Sequence, residues 1–213
     1  MKRSYPFLVG VTGGLGSGKS TVCHLLANMG CALFEADRVA KEMQLTDADV
    51  ITGIKMIFGD GIYSLDADGD LLLDRKTIAS IVFSSPEKLQ ALNQLIHPKV
   101  FTAFSLAIND ARQRGVKILV KEAAILFESG GSKGLDAVVV VTADEQTRIA
   151  RAVLKGMGTA EEIARRLAAQ WPQEKLTSLA DYVLVNNLSC SELQQQSEQL
   201  YHTLIAAADA ACA

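Results

Sequence analysis

The sequence predicts an α/β fold in which a parallel β-sheet of about five strands is flanked by helices. An apolar run at residues 7–12 passes through glycines into an amphipathic segment and then into a second apolar run at residues 31–34. Two β-branched runs, at residues 116–120 and 137–141, have the continuous hydrophobicity of strands that are buried on both faces. A last apolar run, Tyr182–Val185, precedes an amphipathic C-terminal segment.

The order of the first elements is set by glycines and acidic residues. The segment Thr21–Met29 has helical periodicity, and Gly30 ends it before the second strand. That strand finishes at the acidic segment Glu35–Asp37. Two strands joined by a helix predict a parallel β-α-β unit at the start of the chain.

Residues 38–114 have helical or irregular periodicity, and we expect a helical insertion in the sheet domain there. Within it, Leu65–Leu71 resembles a calcium-binding loop, but position twelve counted from Asp66 is Thr77 and not glutamate. We therefore interpret this acidic segment as a turn.

Three segments of the form Ser/Thr-x-x-Glu predict helix N-termini, because the hydroxyl and the glutamate can satisfy each other's backbone N–H groups. They are Thr142–Glu145, Thr159–Glu162 and Ser189–Glu192.

Composition excludes several classes of protein. The chain has 213 residues, 49% hydrophobic and 21% charged, which argues against disordered and coiled-coil proteins. A net charge of -3 argues against a protein that coats nucleic acid or anionic lipid. The sequence contains no apolar run long enough for a transmembrane helix, and we do not interpret Met1–Arg3 as the start of a signal peptide. The scattered cysteines indicate reduced thiols, and we expect a cytoplasmic protein.

The segment Gly13–Ser20 matches the pattern G-x-x-x-x-G-K-[ST] and lies between the first strand and the first helix. In this pattern the backbone N–H groups surround phosphate oxygens, and the helix directs its positive end at the same anion. Lys19 would reach the β and γ phosphates, and the Ser20 hydroxyl would bind Mg²⁺. A chance match has a probability on the order of 1%. The expected nucleotide-binding residues are Gly13, Gly14, Leu15, Gly16, Ser17, Gly18, Lys19, Ser20 and Thr21.

The sequence favours phosphoryl transfer to a small acceptor over GTP switching. No N-K-x-D guanine-recognition segment occurs, and the D-x-x-G match at Asp66–Gly69 lies in the expected turn. Asp37 follows the second strand, where the carboxyl ends of parallel strands gather catalytic groups. It can act as a general base or as the N-cap of a following helix.

A basic stripe lies on the helix expected after residue 144. Arg148, Arg151 and Lys155 are spaced i, i+3 and i+7, which places them on one face. This face can close over phosphates or form a solvated charged surface.

An ordered set of segments resembles the dephospho-CoA kinase family over nearly the whole chain. These segments are Gly10–Thr21, Ala36–Asp37, Leu73–Arg75, Val82–Phe83, His97–Pro98, Leu126–Glu128, Ala168–Gln170 and Ala180–Asn186. The resemblance implies a P-loop kinase of the NTPase type that transfers a phosphoryl group from ATP to the ribose 3'-hydroxyl of dephospho-CoA. Such a reaction completes coenzyme A synthesis.

The resemblance also implies roles for single residues. Asp37 matches the family's general base, Arg75 and His97 match acceptor-side positions, and Asn186 lies in the segment near adenine. The family's arginine-rich lid matches Arg151, which the resemblance implies is catalytic, and Lys155 stands where the family has a further arginine that would bind ATP. Departures from the family pattern occur at Glu35, Ala124 and Lys155–Gly156, and Glu122 stands where an acid could assist Mg²⁺ through water.

We therefore expect a single domain over residues 1–213, with an acceptor-binding insertion at about 38–114 and a lid at about 145–175. The partner is a small molecule, with no nucleic acid or membrane involved. Two alternatives stay open: a P-loop kinase acting on a nucleoside monophosphate or a sugar acid, and a non-catalytic module whose nucleotide orders a partner surface.

Overall fold

The computed structural model describes residues 6–212. The interpretation of Met1–Arg3 lies outside these residues. The described chain forms two compact units, one built from the residues up to Glu35 and from Leu106 onward, the other from Ala36–Ser105.

The first unit contains a five-stranded parallel sheet, as the sequence predicts. Its strand order is β2-β5-β1-β6-β7, with β1 at the centre. The strands are β1 (Phe7–Thr12), β2 (Ala32–Glu35), β5 (Ile118–Glu122), β6 (Ala137–Thr142) and β7 (Tyr182–Val185).

The helices of this unit lie between and after the strands. They are α1 (Lys19–Asn28), α6 (Glu145–Leu154), α7 (Ala160–Ala168), α8 (Gln173–Thr177) and α9 (Cys190–Cys212). The core on one face of the sheet joins strand residues such as Val9 and Val139 to Leu26 of α1 and Leu204 of α9. Because both faces of the central strands are covered, β6 has the sequence AVVVVT, with a run of valines in place of alternating polar residues.

Two of the three predicted capping boxes are present. The Thr159 hydroxyl accepts from the Glu162 N–H, and Glu162 accepts in return from the Thr159 N–H. Ser189 and Glu192 are paired in the same way before α9.

The capping box predicted at Thr142–Glu145 is wrong. The N-cap of α6 is Asp144, whose side chain forms no capping hydrogen bond. The Thr142 hydroxyl, which the capping box would place at the N-terminus of α6, donates instead to Gln173 Oε1, a partner distant in sequence.

The second unit consists of helices and a small hairpin. Its elements are α2 (Ala36–Thr46), α3 (Ala48–Phe58), a short 3₁₀ helix (Asp60–Ile62), β3 (Tyr63–Leu65), β4 (Leu71–Leu73), α4 (Arg75–Ser84) and the larger part of α5 (Pro86–Gln113). The prediction of helical structure is confirmed, but the antiparallel β3–β4 pair was not predicted.

The acidic segment between β3 and β4 is the predicted turn. The Asp66 carboxylate accepts from the backbone N–H groups of Asp68 and Asp70, at 3.0 and 2.9 Å. Its oxygen is therefore used in an Asx turn. Within residues 6–212, no group of three or more His, Cys, Asp or Glu side chains is arranged to hold a metal ion. Nor does any helix in this range combine the length and hydropathy that crossing a membrane requires.

Candidate active site

The segment Gly13–Gly18, here called the phosphate loop, connects β1 to α1 in the predicted order of strand, loop and helix. The loop turns back on itself, with the Ser17 N–H donating to the Gly14 carbonyl at 3.1 Å. Lys19 opens α1, and its Nζ donates to the same carbonyl at 3.4 Å. The lysine ammonium thus lies over the loop whose N–H groups and helix dipole favour an anion.

Gly18 is required at the start of α1 for two reasons. Its φ of +101° lies in the left-handed region, which residues with a Cβ rarely adopt. A Cβ there would also collide with the Asn186 amide nitrogen. That amide donates to the Ser17 carbonyl at 2.8 Å, so Gly18 lets Asn186 approach the loop.

Gly18→Ala is expected to lower the free energy of unfolding by about 1–2 kcal/mol from backbone strain alone, and to weaken ATP binding as well. Chemical denaturation and calorimetric titration with ATP measure the two effects. Gly115→Ala is the matched control, because Gly115 has a φ of +68° and an added Cβ there meets nothing within 4 Å. The control should lose stability but keep its ATP affinity; equal affinity in Gly18→Ala would contradict the prediction.

Asn186 also connects the loop to α6. Arg151 donates to the Asn186 backbone carbonyl at 2.8 Å and to its Oδ1 at 3.4 Å. Asn186 is 6% exposed, so these contacts are shielded from water. Asn186, which the resemblance places near adenine, and Arg151, which it places in a catalytic lid, are therefore held together beside Ser17. The Arg151 guanidinium keeps further N–H donors for a phosphate. Lys155, in contrast, is exposed at the C-cap of α6.

The segment predicted to form the lid, at about residues 145–175, contacts the middle of the loop. The Leu15 side chain packs against the apolar cluster of Ala152, Ile163 and Leu167 from α6 and α7. The Leu15 N–H donates to Gln170 Oε1 at 3.0 Å. Sequence reasoning missed this role of Gln170. Its only signal was the Ala-Ala-Gln segment of the family resemblance.

Two carboxylates stand at the same edge of the sheet. Glu35 and Glu122 end β2 and β5, and their Cα atoms are register partners. Burial raises the pKa of the Cys23 thiol well above its usual value; Glu122 and Glu35 add to the shift, whereas Lys19 opposes it. The loop lysine and both carboxylates therefore act on one buried thiol of α1, which places them in one electrostatic neighbourhood.

This donor set fits Mg²⁺. The metal prefers hydroxyl, carboxylate and phosphate oxygens and keeps several waters, so it does not need a cluster made only of protein ligands. Ser20 is in the first turn of α1, and Glu122 supplies a carboxylate that acts, like Lys19, on the Cys23 thiol of the same helix.

The residues predicted for the acceptor side lie in the second unit. Asp37 is an exposed residue in the first turn of α2, inside the helix, so it is not the N-cap. Arg75 begins α4 and donates to the Lys41 carbonyl of α2 at 3.1 Å. His97, on α5, lines a shallow cavity of about 520 Å³ and contacts the Phe101 ring, with 6.3 Å between ring centroids.

A phosphate loop between the central strand and its helix, in a parallel sheet of this strand order, defines a nucleotide-binding protein of the P-loop class. A profile of the family described as dephospho-CoA kinase matches residues 7–192. A dephospho-CoA kinase from Chlorobaculum tepidum is 57% identical over 205 residues, which cover 96% of this chain and 98% of the relative. One from Chlorobium chlorochromatii is 58% identical over 205 residues, covering 96% and 97%. The chain belongs to the dephospho-CoA kinase family.

The fold is shared with a solved member of that family. The structure of dephospho-CoA kinase from Campylobacter jejuni superposes with a TM-score of 0.69 at 22% identity, covering 95% of this chain and 99% of that one. The family match and the two relatives confirm the predicted resemblance and enzyme class, and the shared structure confirms the fold class.

Proposed function

We propose that this chain phosphorylates the ribose 3'-hydroxyl of dephospho-CoA with ATP, giving coenzyme A and ADP. The observation that carries the proposal is the phosphate loop with Lys19 folded over it, in a chain of this family. Phosphoryl transfer needs mostly positioning and charge neutralisation, and the loop supplies both.

The donor side is formed by the loop and the first turn of α1. The backbone of Gly13–Gly18 surrounds the β and γ phosphates, Lys19 neutralises the charge that develops in transfer, and Thr21 follows in the same turn. Asn186 fixes the loop through Ser17, as described above.

Mg²⁺, when bound, neutralises the β and γ oxygens. Ser20 would hold the ion, with Glu122 assisting through water.

On the acceptor side, the 3'-hydroxyl oxygen forms a bond to the γ phosphorus while the bond from that phosphorus to the β-γ bridging oxygen breaks. The hydroxyl proton passes to the Asp37 carboxylate, and ADP leaves with the bridging oxygen. Arg75 and His97 orient the acceptor. We assign this role to the insertion at about 38–114, in a single kinase domain over residues 1–213.

The lid, at about residues 145–175, supplies cations to the migrating phosphoryl group. Arg151 can do so with the N–H donors that Asn186 leaves available. Lys155 contributes a point charge, which fixes phosphate geometry less tightly than the planar fork of arginine.

A small-molecule partner agrees with the net charge of -3, and nucleic acid is not part of the proposal. A cytoplasmic location is supported by the thiols of Cys23, Cys31 and Cys190, which are free.

The test is an assay of ADP release with ATP and dephospho-CoA, together with mass-spectrometric detection of the 3'-phosphorylated product. Nucleoside monophosphates and sugar acids serve as competing acceptors. Release of ADP without a phosphorylated product would indicate hydrolysis only and would overturn the proposal. A faster transfer to one of the competing acceptors would do the same.

A further inference from the structure

Arg148 packs directly against the phosphate loop, although neither the loop motif nor the resemblance assigns it a role. It lies on α6, one turn before Arg151. A Cβ at Gly14 would collide with its Nη1, and a Cβ at Gly16 would collide with its backbone carbonyl. Both glycines therefore allow the helix to approach the loop, with the guanidinium beside Gly14 and the main chain beside Gly16.

The Arg148 side chain carries a buried charge without a carboxylate partner. It is 7% exposed, and its Nε is buried with no hydrogen-bond partner among residues 6–212. In the same range it forms no ion pair with an acidic side chain. A guanidinium taken out of water is costly unless an anion compensates it, and an orphaned buried donor adds to that cost.

The surroundings of Arg148 offset this cost only in part. Burial lowers the pKa of the guanidinium, and Glu145 and Glu174 raise it from a distance. Both acids are exposed. A second cavity, of about 460 Å³, lies beside Arg148 between α6, α7 and α8 and is lined by Gln170 and Trp171 among others. Because Glu145 and Glu174 are solvated, they stabilise the Arg148 charge less than a directly bonded anion would.

The loop beside Arg148 favours an anion, because its backbone N–H groups and the positive end of the α1 dipole converge there. A polyphosphate on the loop would supply the negative charge that the buried guanidinium lacks. The same contact between Arg148 and the two glycines would also keep the loop in the shape that binds the anion. The missing negative charge and the shape of the loop both place Arg148 at the site that binds the phosphates.

We propose that Arg148 is a positioning residue of the donor site: it holds Gly14 and Gly16 in the phosphate-binding shape, and its buried positive charge strengthens triphosphate binding. Of the proposed function, this inference uses only that the loop binds a nucleoside triphosphate. It needs no particular acceptor.

The test compares Arg148→Met, which keeps an unbranched apolar stem, with Arg148→Lys, which keeps the charge. Titration calorimetry measures binding of ATP and of tripolyphosphate, the latter carrying the phosphates without the base. We expect Arg148→Met to weaken both ligands by about ten-fold or more, as loss of one charged interaction would. Arg148→Lys should recover part of the affinity. In turnover, KM for ATP should rise in Arg148→Met while kcat stays within about three-fold.

Arg165→Met is the matched control, because Arg165 is an exposed arginine of α7. It should leave both affinities unchanged. Thermal melting separates folding from binding, and only folded proteins are compared. If Arg148→Met does not fold, Arg148→Lys is tested in its place, and its affinity for both ligands should lie below that of wild type. Wild-type affinity for tripolyphosphate in a folded Arg148→Met protein would overturn the inference. So would an equal loss in Arg165→Met.

The two proposals fail separately. If wild type binds ATP but does not phosphorylate dephospho-CoA, the proposed function fails and the role of Arg148 is unaffected. If wild type phosphorylates dephospho-CoA and Arg148→Met binds ATP normally, only the inference about Arg148 fails.

Discussion

Asp37→Asn is expected to lower kcat for dephospho-CoA by about 10²-fold or more while the protein stays folded. General bases contribute about 10²–10⁴-fold, and a loose phosphoryl-transfer transition state needs the lower part of that range. The effect on stability is small by comparison. Asp37 is an exposed residue in the first turn of α2 and does not cap it, and the interaction of its charge with the helix dipole contributes about 0.3–1 kcal/mol.

The matched control for this prediction is Glu42→Gln on the same helix. Glu42 is an exposed carboxylate that accepts from Arg38 at 2.6 Å, and such surface pairs contribute little to stability. The ADP-release assay gives kcat and KM for both variants, and thermal melting reports their folding. Glu42→Gln should match wild type. A folded Asp37→Asn protein with wild-type kcat would remove Asp37 from the mechanism.

Much of the sheet could be predicted from the sequence because its strands are buried on both faces. The bounds predicted for Phe7–Thr12 and Tyr182–Val185 are those observed, and the prediction for β6 ends one residue early. Apolar runs bounded by glycine or polar residues show where each of these strands begins and ends.

The hairpin of the second unit could not be predicted in the same way. Its turn was identified from Asp66–Gly69, but β3 and β4 have only three residues each. Strands this short show too little alternation to separate them from helix ends or loops. The Tyr63 hydroxyl donates to the Gln44 carbonyl at 2.7 Å, which attaches β3 to α2, and local sequence does not reveal such a contact.

The sequence predicted the phosphate loop of the candidate site but not the distant residues that contact it. The pattern Gly13–Ser20 is local, and the strand and helix around it are where the pattern requires them. Gln170 and Arg148, in contrast, reach the loop from more than a hundred residues away. Helix periodicity placed Arg148 on a basic stripe, yet it could not distinguish a buried guanidinium from a solvated one.

The three residues of the basic stripe also differ in how far they are buried. Arg148 is buried against the glycines, Arg151 is bonded to Asn186, and Lys155 is exposed. Three cations on one helix face therefore have three different environments. Arg148 positions the loop, Arg151 is held beside it, and Lys155 is available to solvent. Their substitutions are therefore expected to have different kinetic effects.

Lys19→Met is expected to lower kcat/KM by about 10²–10³-fold, because it removes a positive charge aimed at the phosphates. The Lys19 ammonium already lies over the loop, 3.4 Å from the Gly14 carbonyl, so little reorganisation precedes its use in the transition state. Lys19→Arg should not restore full activity. The planar fork of arginine is larger than an ammonium and cannot occupy the same position over Gly14.

Lys133→Met controls for the loss of one positive charge in the same unit, since Lys133 is exposed and lies outside the phosphate loop. Steady-state kinetics with dephospho-CoA and calorimetric ATP binding separate the two roles of Lys19. If Lys19 mainly stabilises the transition state, kcat falls more than ATP affinity, because uniform binding of ground and transition states would change KM alone. Lys19→Met activity within three-fold of the Lys133→Met value would show that the loop acts without its lysine.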